Sequence, residues 1–382
     1  MNPIYSWQKE VWRKLAPDTQ RNAQGGSTSS AHALLLRGRK GLGKLAFAVF
    51  LAKSRLCENI SDEGEACGIC SSCRWFEQGG HPDFRVIEPE ALSNLLTISG
   101  SSERNGSDGD ADTEAVAMAE PATDVGTETG SAKSRRKPSK QISVAQIREL
   151  ADFINISSHQ NGYKIILIHP AEAMNPAAAN ALLKNLEEPP PQVLFILVTH
   201  QAQHLLPTIR SRCRQIAMPA PDPAIATAWL KQQGVKEPEV CLASAGYAPL
   251  AALEFNDDNY LERHGAFIRQ ISSPGNFNPI TLAEEMQKSD LVTLVNWLQK
   301  WCYDLMSFRM TGKIRYHPDM LAAIEPLAYK IAPRLLTAYL RTLAETQQLA
   351  NHPLNPRLFL EELLFSYLRA LSPASHHREQ MN

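Results

Sequence analysis

The 382-residue sequence has no apolar run approaching the ~20 residues that a membrane-spanning helix requires, so no bilayer span is expected. Net charge is nearly absent as well: 39 Lys and Arg face 40 Asp and Glu, a formal balance of -1. Such a chain is not built to bind a polyanion over its whole surface, and any contact with DNA is expected to be local or supplied by partners. Its first residues, MNPIYSWQKEVWRKL, put charges where a secretory leader needs an apolar core, and a cytoplasmic location is the expectation. Aromatic residues are scarce, at 7%, and are missing altogether from about residues 99–140. That stretch is rich in Ser, Gly, Asp, Glu, Thr and Ala, and the basic run SRRKPSK closes it. It cannot bury enough apolar surface to offset its ordering entropy. It reads as a disordered insertion and not as a linker between domains, because sheet-forming sequence resumes beyond it.

What remains has the balance of a soluble globular protein, 43% hydrophobic and 21% charged, and its length predicts two or three domains. Residues 31–56 read as a short apolar strand, a glycine-rich turn and a helix. Phe84, Val86 and Ile87 suggest a second strand. Order resumes at Ser143, which has capping-box spacing to Gln146 ahead of the apolar helical face of Val144, Ile147, Leu150 and Ile154. A strand over 163–169, a helix over 177–188 stopped by Pro189–Pro191, and strands over 193–199 and 214–218 follow. Continuous apolar strands alternating with helices predict an α/β domain over 1–218, its parallel sheet covered on both faces. From Pro219 the pattern is helical, with a small module over 219–271. Longer amphipathic helices around 281–310, 318–330, 335–350 and 356–371 make an all-α domain over 280–373, and 374–382 reads as a frayed tail.

Gly38-Arg39-Lys40-Gly41-Leu42-Gly43-Lys44-Leu45 fits a phosphate-binding loop at every position but the last. In such loops glycines let backbone N–H groups cradle phosphate oxygens at a helix N-terminus, and the lysine reaches the β/γ-phosphates. Gly41, Gly43 and Lys44 are therefore the candidate nucleotide contacts. The hydroxyl that should hold Mg²⁺ is missing at Leu45. The strand over 163–169 should end in an acidic pair, yet His169 and Pro170 stand there. Two separate losses predict a nucleotide-hydrolase fold that does not hydrolyse ATP, with the glycine turn kept for geometry and His169 structural.

Four of the seven cysteines fall at Cys57, Cys67, Cys70 and Cys73. Four thiolates suit the tetrahedral preference of Zn²⁺ and leave no open coordination position, so a structural zinc module over 57–73 is the leading reading. An Fe–S cluster or free thiols are the alternatives. Arg212, in Ser211-Arg212-Cys213, reads as an arginine ending a loop before the last strand. Taken alone it is a solvated or salt-bridged side chain; on a nucleotide-binding fold it is a candidate arginine finger.

HALLLRGRKGLGK, the four-cysteine spacing, GHPDF (80–84), NALLKNLEEPP (180–190) and SRC (211–213) occur in the order seen in bacterial clamp-loader subunits of the AAA+ class, which this sequence resembles over 31–90 and 142–218, and more loosely beyond. The resemblance implies an AAA+ domain with a zinc module, a helical lid, and a helical collar that assembles into a ring. It implies as partners the gamma/tau ATPase subunits and the delta subunit, with the sliding clamp and primed DNA reached through the complex. The departures at Leu45, His169 and Pro170 are those of a non-hydrolysing member. Pro249 stands where the lid arginine is expected, while Thr199 keeps the other sensor position. By the same resemblance Arg212 serves ATP bound on a neighbour. The chain has no visible acid cluster for DNA polymerisation, although it would belong to the polymerase III holoenzyme. An active ATPase subunit and a zinc-dependent nucleic-acid-binding protein are the rival readings.

Overall fold

A computed structural model of the protein describes residues 4–16, 31–92, 138–156, 158, 162–256, 258–350, 352 and 354–371. The insertion expected at about 99–140 lies outside the described residues except for its last three positions, and the 374–382 tail lies wholly outside them. The structure has two compact units that divide between Met218 and Pro219, with Arg39–Gly43 belonging to the second.

In the first unit five strands form one sheet: β1 (Ala33–Arg37), β2 (Phe84–Ile87), β3 (Lys164–Ile168), β4 (Val193–Thr199) and β5 (Arg214–Ala217). Their order is β2-β3-β4-β1-β5 and every pairing is parallel. Leu35 of β1 is in register with Leu197 and Gln215 of its neighbours, and Ile166 of β3 with Phe195 and Arg85. β3 and β4 are buried along their whole length, which is why they read as unbroken apolar runs.

Strand alternation sorts the side chains onto two faces. Leu35, Ile166, Ile168, Phe195 and Leu197 meet α4 (Val144–Asn155), α5 (Pro176–Glu187) and α6 (Pro207–Arg212) through Ile147, Leu150, Leu182, Leu186 and Ile209. Leu34, Leu36, Ile165, Leu167, Ile196 and Val198 face the other way. They meet α1 (Lys9–Leu15), α2 (Lys44–Leu56) and α3 (Ser71–Glu77) through Trp12, Phe47, Leu51 and Phe76. The capping box at Ser143 forms: Gln146 Oε1 accepts the Ser143 N–H at 2.8 Å, and Gln146 Nε2 donates to Glu88 O at 2.9 Å, tying α4 to the chain just beyond β2.

The second unit is helical. α7 (Pro223–Gln232), α8 (Pro238–Ser244) and α9 (Pro249–Leu253) share a small core of Ala226, Leu230, Cys241, Leu242 and Ala252. A larger core joins α10 (Asp258–Ile271), α11 (Pro279–Met286), α12 (Leu291–Thr311), α13 (Leu321–Lys330), α14 (Pro333–Leu349) and α15 (Pro356–Leu371). The helix expected over 281–310 is two helices, because Asp290 starts a new one by accepting the Thr293 N–H at 2.9 Å.

Asp304, fully buried in this core, accepts backbone N–H groups from Arg315 (2.9 Å), Tyr316 (2.9 Å) and His317 (2.8 Å), and the His317 Nδ1–H at 2.9 Å. One carboxylate thus holds residues 315–317 in the connection from α12 toward α13. Asp304→Ala strands those donors in the interior and is expected to cost about 3 kcal/mol of stability, read by urea denaturation of the purified chain. An unchanged denaturation midpoint contradicts this account.

Candidate functional site: a degenerate nucleotide centre, a four-cysteine module and an exposed arginine

The ends of β1, β3 and β4 bring together several of the residues around the candidate nucleotide loop, at the edge where open parallel sheets bind ligands. Lys44 opens α2 and is buried at 2% exposure; desolvation pulls its ammonium down to about 8, against the opposing charge of Glu172. Leu45 next to it packs against the apolar cluster beneath the sheet. His169 follows β3, buried, and burial holds its imidazole down to about 4, so it is uncharged at neutral pH. Its ring lies 5.3 Å from that of His200. Thr199, at the end of β4, is fully buried and accepts the Gln201 N–H at 3.2 Å.

Glu172, on a one-turn helix three positions past His169, was not legible as a site residue. Its Oε1 accepts the His200 N–H at 2.8 Å, and its charge reaches both Lys44 and His169. The centre therefore holds an internal carboxylate beside the loop lysine, yet no hydroxyl at position 45 and no acid at 169 or 170. Lewis-acid chemistry of the ordinary Mg²⁺ type has no protein ligand set at those positions. Gly41 and Gly43 take positive φ of 84° and 81°. Gly41 O accepts the Leu250 N–H at 3.0 Å, and a Cβ at Gly41 would lie 2.6 Å from Ala251 Cβ. Close approach of the α9 backbone is thus what requires glycine at 41. Pro249 is the first residue of that helix and is buried.

The four cysteines converge: their Sγ atoms all lie within 4.8 Å of one another. Cys57 Sγ stands 3.6 Å from Cys67 Sγ and 3.9 Å from Cys70 Sγ, near the ~3.8 Å edge of a tetrahedron with Zn–S bonds of ~2.3 Å. The Cys67 N–H points at Cys57 Sγ (3.2 Å) and the Cys73 N–H at Cys70 Sγ (3.4 Å). The N–H groups of Ile69 and Cys70 pull the Cys67 thiol down to about 6. Burial pushes Cys57 and Cys73 up, a penalty that a bound divalent cation reverses. Donor set and spacing fit a closed, structural zinc site.

Surrounding groups fix these ligands. Gly68 turns the chain at φ 75°, and Cys70 caps α3. Glu58 Oε1 accepts from Ser71 Oγ (2.8 Å) and from the Ser72 N–H (3.0 Å). His81, from the GHPDF motif, accepts the Asp83 N–H at Nδ1 (3.1 Å), which leaves Nε2–H to donate to Ser72 Oγ at 2.8 Å. The Ser72 hydroxyl donates in turn to Leu56 O at the end of α2. The module is thus stapled to the sheet domain by a buried chain of hydrogen bonds.

Arg212 does not end a loop, as its sequence context suggested. Pro207 at the first helical position starts α6, and Arg212 is that helix's last residue. Its Nη2 lies 2.6 Å from Glu187 Oε1 and its Nη1 donates to Thr208 O at 3.0 Å; the side chain is 34% exposed. Within the sheet domain Lys44, Glu172 and His169 come together, while the cysteines and Arg212 occupy separate places.

The family model for "DNA polymerase III, delta subunit" matches residues 7–222, and that for the C-terminal part of the same subunit matches 258–368. The chain is 30% identical over 383 residues to DNA polymerase III subunit delta' of Pseudomonas aeruginosa, covering 98% of this chain and all of that protein. This chain belongs to the delta' family of DNA polymerase III clamp-loader subunits. The delta' subunit of Yersinia pestis is 29% identical over 395 residues, with 97% of each chain covered. A gamma subunit-related protein of Thermotoga maritima, of known crystal structure, aligns with 96% of this chain and all of its own at 15% identity and a TM-score of 0.35. Delta' membership agrees with a five-stranded parallel sheet domain carrying a four-cysteine cluster and followed by helices. Among the described residues no helix is long and apolar enough to cross a membrane.

Proposed function

We propose that this chain is the non-hydrolysing member of the loader, assembling with gamma/tau ATPase subunits and delta to place the sliding clamp on primed DNA. In this reading Arg212 completes an ATP site on an adjacent gamma/tau subunit, and the zinc module is structural. The observation that carries it is a contrast within one domain. The chain's own centre has Leu45, a neutral buried His169 and Pro170 where metal-holding groups belong, while Arg212 stands partly exposed at a helix end. A guanidinium offers a rigid fork of donors to charge spreading over γ-phosphate oxygens, which suits it to act on a neighbour's nucleotide.

Reconstitution tests this directly. DNA-stimulated ATPase and clamp loading by gamma/tau and delta are expected to rise when this chain is added, and equal activity without it contradicts the proposal. The purified chain alone is expected to show no ATP turnover, and a steady-state rate of ~1 s⁻¹ or more, the ordinary enzymic scale, contradicts the reading of its centre. Nucleotide binding through Gly41, Gly43 and Lys44 is measured separately and leaves this outcome unaffected.

A further inference from the structure

Resting on the trans-acting reading of Arg212, we infer that Glu187 is its positioning residue: the carboxylate ending α5, together with Thr208 O, fixes the guanidinium that the neighbour's phosphate meets. Glu187 Oε1 holds Nη2 at 2.6 Å and Thr208 O holds Nη1 at 3.0 Å. Both acceptors are attached to rigid parts of the fold. Leu186, beside Glu187, and Ile209, beside Thr208, are buried in the same apolar cluster, so α5 and α6 cannot shift independently of the sheet. Glu187 is also where α5 must stop, since Glu188 leaves helical geometry (φ -119°, ψ 72°) and Pro189–Pro191 follow.

Two acceptors on different nitrogens define the guanidinium plane. Arginine carries five N–H donors, so those not directed at Glu187 and Thr208 lie in a plane already set. An exposed arginine otherwise samples many rotamers and must be ordered as the phosphate arrives, which weakens what it contributes to the rate. The pairing does not discharge the cation, because a guanidinium keeps its proton at every physiological pH. Glu187 therefore acts through Arg212 and not on the phosphate, which its own charge repels.

The test uses the full loader reconstituted with each variant, assembly being verified by gel filtration. Glu187→Ala is expected to lower the clamp-loading rate at saturating ATP about threefold, the strength of a typical exposed ion pair, with KM for ATP changed less than about twofold. In an Arg212→Ala background it is expected to add no further loss, because coupled residues are not additive. Glu187→Gln keeps an acceptor oxygen and is expected to restore at least about half of the deficit. Loss confined to KM, a loss that adds to that of Arg212→Ala, or a Glu187→Ala complex as fast as wild type or faster overturns the inference. If Arg212→Ala is itself inert, the trans-acting reading fails and takes this inference with it. A deficient Arg212→Ala beside an unimpaired Glu187→Ala overturns this inference alone. Should Glu187→Ala fail to assemble, Glu187→Asp, which keeps the charge and withdraws the carboxylate by one methylene, is judged by the same criteria.

Discussion

Arg212→Ala is expected to leave the protein folded and able to join the loader while lowering clamp loading on the order of tenfold or more. The cost to folding is small because the side chain is one-third exposed and its partner Glu187 about half exposed. Such pairs contribute less than about 1 kcal/mol. The cost to function is large for a different reason. Under the proposal, charge developing on a neighbour's γ-phosphate oxygens meets a fixed cation, which stabilises the transition state more than the ground state. An arginine finger contributes on the order of 10³ or more at its own site. Under the proposal only one of several ATP sites loses its finger, so steady-state ATPase falls by less than clamp loading, which needs the sites to act together. The decisive measurement pairs gel filtration of the assembled complex with DNA-stimulated ATPase and clamp-loading rates. A complex that assembles normally and matches wild type shows that Arg212 is structural. Failed assembly assigns the residue to the interface instead.

Zinc removal is the second large effect. Protein purified without chelators is expected to carry about one zinc per chain, and Cys70→Ser to lose it. Structural zinc in small modules contributes on the order of 10 kcal/mol to local folding, and the segment from Cys57 to Cys73 has little apolar core of its own. Leu56, Ser72 and His81 transmit the loss only as far as the end of α2 and the start of β2. The sheet rests on its own apolar faces, so far-UV circular dichroism is expected to stay near native while proteolysis within 57–73 becomes fast. Metal analysis finding no zinc in the wild-type protein contradicts the assignment, and collapse of the whole spectrum contradicts the separation of module from sheet.

Much of this was legible in one dimension. Unbroken apolar runs such as VLFILVT announce strands buried on both faces, and β3, β4 and β5 each lie within one residue of the ranges expected for them. Local spacing was equally informative for the cysteines, because a metal site built from one short segment leaves its ligand geometry in the chain. Leu45, His169 and Pro170 could be judged by chemistry alone, since no arrangement in space gives leucine a hydroxyl or proline a carboxylate. The break between α11 and α12 was missed because both helices keep their apolar faces in phase with one core, and only the Asp290 cap separates them.

What the sequence determined by itself, then, is the chemistry that each residue type permits and the local structure that each period favours. Tertiary structure decided which distant residues meet. Glu172, a local neighbour of His169, comes to Lys44 only because the order β2-β3-β4-β1-β5 sets the ends of β1 and β3 on either side of β4. Glu187 meets Arg212, 25 positions on, only because α5 and α6 pack on the same face of that sheet. Asp304 collects the backbone of 315–317 only because the chain turns back at Gly312, whose positive φ ends α12. Such contacts leave no period in the sequence, because side-chain spacing records the direction a residue faces and not what the fold brings to meet it.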